Sequence, residues 1–180
     1  DSPRITIIQA AGASPLYRTL VSSSAELVPV EDAFTLASAI KIGHPISWKK
    51  AVRTLNFTDG WCDVVTEQEI ADAKAVLGRD GIGCEPASAT TVAGLKKLIE
   101  TAERIPDITI DPDEDIVAIL TGHQLKDPDY TVNYHLNNLY EEATYNTVLV
   151  RKSGKVNSTF SNQPMKIEAD KEEIIRILEL

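Results

Sequence analysis

The chain has 180 residues, 43% of them hydrophobic, which is enough for one ordinary globular core with a small appendage. Its 18 Lys and Arg stand against 27 Asp and Glu, a net charge of -9, and a surface of that sign repels phosphodiester backbones, so nucleic acid is excluded as an expected partner. Cys62 and Cys84 have no metal-like spacing and cannot build a disulfide framework, and no stretch approaches the ~20 apolar residues of a membrane span. A cytoplasmic protein with no metal site and no membrane contact is expected.

In chain order, Ile5 to Ile8 is β-branched and apolar, as a buried strand requires. It runs into the small-residue turn Gln9-Ala10-Ala11-Gly12-Ala13, and Pro15 suits the first turn of a helix. A short helix is expected over Thr35 to Ile40, stopped by Gly43-His44-Pro45. Ser47 then reads as the N-cap of a helix with Trp48, Val52 and Leu55 on one face. Asp63-Val64-Val65 suggests a second strand. Thr66-Glu67-Gln68-Glu69 is a capping box that opens a helix whose apolar face is Ile70, Ala73 and Leu77. Pro86 opens a further helix with Val92, Leu95, Leu98, Ile99 and Ala102 at helical spacing.

Ile116-Val117-Ala118-Ile119-Leu120 is a continuous apolar run and reads as a strand covered on both faces. Strands alternating with helices imply a parallel sheet and right-handed crossovers. The tail differs: Tyr145 to Val150 and Lys155 to Thr159 flank Lys152-Ser153-Gly154, which predicts an exposed hairpin turning at that tripeptide. Ile167 and a helix from Glu172 to Leu180 close the chain. Three segments are expected: 1–136, a hairpin or insert over 137–165, and a closing strand and helix over 166–180.

Chemistry concentrates where apolar elements stop, in Gly83-Cys84-Glu85-Pro86-Ala87-Ser88-Ala89 and in Leu120-Thr121-Gly122-His123-Gln124-Leu125-Lys126-Asp127-Pro128. Thr121 sits at the carboxyl end of the predicted strand, the usual ligand-facing end of a parallel sheet. Its hydroxyl can donate or accept, so it can meet a ring nitrogen in either protonation state; a threonine capping an ordinary turn is the other reading. Gly122 would let backbone approach a flat ring. Lys126-Asp127 reads as a local ion pair or helix cap, and His123 has no carboxylate at a spacing that would orient it. Glu85, at a helix start, can complement the dipole, while Ala87, Ser88, Ala89 and Gly94 keep that helix slim. Cys84 reads as a buried small hydrophobe.

Taken together and in this order, the two runs resemble the carboxyl-terminal half of threonine synthase, in the pyridoxal-phosphate superfamily that includes tryptophan synthase β. Leu36-Ala37-Ser38-Ala39-Ile40-Lys41-Ile42-Gly43-His44-Pro45 is a third match, with His44 where that family usually has Asn. The likeness covers residues 3 to about 135, and the hairpin region has no counterpart in it.

The resemblance implies an α/β, three-layer fold with a mostly parallel sheet, the carboxyl-terminal part of the large domain of a fold type II enzyme, plus the hairpin. It implies pyridoxal 5'-phosphate as cofactor and conversion of O-phospho-L-homoserine and water to threonine and phosphate. It assigns Thr121 to the pyridine nitrogen, Gly122 to close approach, Ala39 and Ile40 to packing against the cofactor, and Glu85 to a supporting position behind it. No catalytic residue is expected in this chain, because the family's Schiff-base lysine lies upstream of both runs. The chain is therefore expected to be about half of an enzyme, to bind the cofactor weakly alone, and to partner an amino-terminal half and a second copy. A threonine dehydratase-like fragment and a stand-alone binding module are the alternatives.

Overall fold

The computed structural model describes residues 2–103, 110–111, 113–145 and 148–178. Strand β1 (Thr6–Ala10) pairs in parallel with β2 (Trp61–Val65), in a register running from Thr6 opposite Trp61 to Ala10 opposite Val65. Ala11 N–H extends the ladder to Val65 O at 2.8 Å. Between the strands lie α1 (Pro15–Val21), begun by its proline, and α2 (Trp48–Phe57), which buries Leu55. The class is α/β with a parallel sheet, as the alternation of elements requires.

Helix α3 (Glu67–Arg79) starts where the sequence puts it. The Thr66 hydroxyl accepts from Glu69 N–H at 3.2 Å, and the Glu69 carboxylate accepts from Thr66 N–H at 2.6 Å. Such a box satisfies two amide groups that the first helical turn leaves without partners. Helix α3 is buried on two sides. Ile70, Ala73 and Leu77 join Ala10, Val65, Cys84, Ala89 and Ala93 in one cluster, and Ala71 and Ala75 join Tyr130, Tyr134, Leu139 and Val156 in another. Alanines on the second side let the tyrosines of α5 (Pro128–His135) approach closely. Helix α4 (Pro86–Ala102) packs on both strands. Lys97 ties it to β2, pairing with Asp63 at 3.1 Å and donating to Val64 O at 2.7 Å.

Four expectations need correction. The strand expected over Ile116 to Leu120 is not formed. That stretch is extended without a ladder, Val117 is 82% and Ile119 69% exposed, and only Leu120 reaches the first core cluster. A buried strand needs backbone partners on its flanks. Among the described residues no backbone ladder flanks it. The ties to the neighbouring segment come just beyond its end, Glu85 N–H to Gly122 O at 2.9 Å and the Thr121 and Gly122 N–H groups to the Ser88 hydroxyl.

The helix expected over Thr35 to Ile40 shrinks to one 3-10 turn at Ser38–Ile40, because the Thr35 hydroxyl accepts from Ala37 N–H at 3.1 Å and holds a turn instead. The hairpin is present but shifted: β3 (Leu139–Tyr145) pairs antiparallel with β4 (Val148–Val156), so Lys152-Ser153-Gly154 lies inside β4. The register slips between Tyr140 and Glu142, opposite Gly154 with φ of 75°, so the glycine serves a bulge and not a turn. Finally, residues 166–170 carry no strand. Helix α6 (Lys171–Leu178) follows them, and residues 146–147 and 179–180 of the expected hairpin and helix lie outside the described residues. No helix among the described residues is long and apolar enough to cross a membrane.

Candidate functional site

Glu85 precedes Pro86 at the start of α4, yet its side chain does not cap that helix. It turns to the loop before α5. Glu85 is 4% exposed, and its carboxylate accepts from the Thr121 hydroxyl at 3.1 Å and from the Lys126 ammonium. Lys126, 41 residues away in sequence, therefore forms a long-range ion pair. Of the local ion pair or helix cap expected above, Asp127 takes the N-cap position of α5, without a side-chain cap bond. The Lys126 N–H, then the Thr121 O–H, hold the Glu85 carboxyl below its ordinary value against the opposing effect of burial. Its partner responds in kind, and the Lys126 ammonium is held above its usual range by the same bond.

Ser88, one turn into α4, completes the group. Its buried hydroxyl accepts from Thr121 N–H at 2.8 Å and Gly122 N–H at 3.2 Å, and lies 3.1 Å from the Thr121 hydroxyl. The direction of each bond follows. An ionised carboxylate only accepts, so Thr121 donates to Glu85. Ser88, with both lone pairs taken by amides, donates its own proton to Thr121. One lone pair remains on Thr121, and Thr121 is the exposed member while Glu85 and Ser88 behind it are buried.

The structure thus brings together three of the expected residues, Glu85, Thr121 and Gly122. Ile40 packs on the core cluster that holds Cys84 and Leu120, and Ala39 is exposed on the Ser38–Ile40 turn, outside the hydrogen-bonded group. Ser88 and Lys126 join the same hydrogen-bonded group, a connection that sequence reasoning missed. Ser88 reads as one small residue among several, although its place a turn after Glu85, on the face toward the same loop, is the signal that could have found it. The His123 ring is used locally, its Nδ1 accepting from Leu125 N–H at 3.2 Å. The Cys84 thiol is 2% exposed and pushed up by burial, and burial beside Asp63 pushes the Cys62 thiol up to about 11, so neither presents a ready thiolate.

The buried Glu85 and Ser88 thus stand behind one exposed hydroxyl, that of Thr121, which keeps a free lone pair. A family model described as pyridoxal-phosphate dependent enzyme matches residues 1–122, and the chain belongs to that family, of fold type II. Among its relatives, Threonine synthase of Methanocaldococcus jannaschii is 36% identical over 179 residues, 99% of this chain and 36% of that protein. Threonine synthase of Methanosarcina acetivorans is 40% identical over 132 residues, 73% of this chain and 31% of that one. A third relative, the Threonine synthase of a Bacillus species (strain ULM1), is 35% identical over 132 residues, 73% of this chain and 34% of its own. The chain spans about a third of the length of these curated relatives, where the sequence alone suggested half. The first relative also supplies a counterpart for the hairpin region, for which none was expected.

The residues present fit the ring end of the cofactor. Thr121 would hold the pyridine nitrogen, while the space left by the missing Gly122 side chain is taken by the Glu85 carboxylate and not by the ring, against the close-approach role expected for it. Lys126 is committed to Glu85 and held protonated, which unsuits it as a nucleophilic amine.

Proposed function

We propose that this chain is the carboxyl-terminal part of a threonine synthase, a lyase that converts O-phospho-L-homoserine and water to threonine and phosphate. The observation that carries the reading is the match along 99% of the chain, tail included, to a relative named for that activity. The bound cofactor would act as the electron sink that makes removal of the phosphate group and addition of water possible. This chain's share is to hold the ring. Thr121, its proton given to Glu85, offers an acceptor to a ring N–H, while Lys126 keeps Glu85 ionised. Ser88 fixes the Thr121 backbone so that the hydroxyl does not rotate away.

The remaining assignments belong to the same reading. Residues 1–136 form part of the cofactor-binding domain, 137–165 an insert, and 166–180 a return to that domain. Ala39 and Ile40 pack toward the cofactor. An amino-terminal portion supplies the lysine that binds it, a second copy completes a homodimer, and the enzyme works in the cytoplasm. Exposure of Val117 and Ile119 supports a strand partner from that other portion, since an apolar run of this kind belongs inside a sheet. Alone, the chain binds pyridoxal phosphate weakly or not at all and is inactive.

The test compares the complete enzyme with its Thr121→Val variant. Phosphate release from O-phosphohomoserine is the activity readout, and retention of cofactor on dialysis is the binding readout. Valine keeps the shape and removes the hydroxyl, and loss of one such bond corresponds to about 1–3 kcal/mol of cofactor affinity. Full retention and rate in the variant would remove Thr121 from the site. Ammonia released from threonine, with no phosphate release, would point to a dehydratase instead.

A further inference from the structure

Between α3, α5 and the segment at residues 160–162 lies a cavity of about 610 Å³ that the function proposed above does not use. The chain carries a net charge of -9, yet no Asp or Glu lines this cavity, while Lys74, Arg79 and His135 do. Tyr130, Tyr134 and Phe160 supply apolar wall beside them.

Lys74 is the telling residue. It is 7% exposed, and its ammonium donates to Cys84 O at 2.8 Å; no carboxylate lies within ion-pair distance of it among the described residues. One neutral carbonyl leaves two ammonium protons to satisfy, and a buried cation so poorly paired is costly. Burial accordingly lowers its pKa, with Cys84 and then Asp127 opposing. Lys74 in turn lowers the pKa of His135, second to burial, and the two side chains line the same cavity. The Nδ1 of His135 accepts from Asn162 N–H at 3.0 Å, so the neutral ring carries its proton on Nε2 as a further donor.

We infer that this cavity is a binding site for a small organic oxyanion, a carboxylate or phosphate monoester with a flat apolar body, whose charged end is captured by Lys74 with Arg79 and His135. The anion supplies the missing counter-charge, and the aromatic wall takes the body. Two cations and a neutral imidazole N–H line one cavity. Among the described residues only Arg79 of these has a carboxylate partner, the exposed Asp80 at 3.4 Å, which an anion would have to displace. Together they offset locally the repulsion that the net charge imposes at long range. This inference is independent of the site around Thr121.

The experiment is calorimetric titration of the 180-residue chain with phenylacetate, phenyl phosphate and the neutral benzyl alcohol. Saturable binding of one or both anions without binding of the alcohol is expected, and which anion binds identifies the carboxylate or the phosphate ester. Lys74→Met, which fills the same volume without charge, should weaken binding by about tenfold or more. Arg79→Gln, at an exposed position, should weaken it severalfold and keeps the test decisive if Lys74→Met does not fold. Failure of both anions to bind, equal binding of benzyl alcohol, or undiminished affinity in a folded Lys74→Met or in Arg79→Gln each overturns the proposal.

Discussion

Glu85 and Gly122 constrain each other twice. The Glu85 N–H donates to Gly122 O at 2.9 Å, and a Cβ placed on Gly122 would fall 2.3 Å from the Glu85 carboxyl carbon. The absent side chain is therefore the space in which the carboxylate sits. Gly122→Ala should force Glu85 from its contacts with Thr121 and Lys126, since the clash is with a buried group held at both oxygens. Overpacking of this kind costs about 1–3 kcal/mol, readable in urea unfolding. An unchanged midpoint would show that Glu85 can move aside without loss.

The Glu85–Lys126 pair gives the molecule an acid-sensitive joint with a definite sign. A carboxyl whose folded-state pKa lies below its ordinary 4.5 contributes stability above that value and loses it as the pH falls through the folded one. Lys126 is the largest cause of the lowering, so Lys126→Met leaves burial to act on Glu85 and should move acid unfolding to higher pH. Circular dichroism during acid titration of both proteins checks this. Coincident transitions would uncouple the pair from stability.

Tyr134, 2% exposed, joins the tail to the body of the fold. Its hydroxyl donates to Asp72 at 2.6 Å and accepts from Phe160 N–H at 3.2 Å, and burial together with Asp72 pushes its pKa up to about 12. Tyr134→Phe removes both bonds at almost constant volume and should cost about 1–3 kcal/mol. Hydrogen exchange of the Phe160 amide should accelerate in the same variant. If stability falls while that amide keeps its protection, the hydroxyl is not what holds the tail.

Local signals proved the most legible. Thr66 and Glu69 form the capping box their spacing announces, Pro15 and Pro86 open helices, and β1 and β2 appear near the expected positions, because each depends on residues close in sequence. Ile116 to Leu120 failed for a physical reason: apolar character shows that a segment seeks burial but not that strands are there to flank it. In the candidate site, Glu85, Thr121 and Gly122 could be read from two motifs. Their connection through Ser88 and Lys126 could not, since a hydrogen bond spanning 33 or 41 residues leaves no periodic trace. The tripeptide Lys152-Ser153-Gly154 misled because a glycine with positive φ suits a bulge as well as a turn.

The carboxamide of Gln68 donates to Asn157 O at 2.9 Å and accepts from Asn157 N–H at 2.7 Å, so a side chain on α3 stands in for a strand. The two residues are 89 apart, and this clasp can close only after the intervening chain has been gathered in. Closure entropy grows slowly with loop length, but contacts this distant tend to form late in folding. Docking of the segment after β4 should therefore be a late kinetic event. Substitutions at Gln68 should speed unfolding while leaving the refolding rate nearly unchanged.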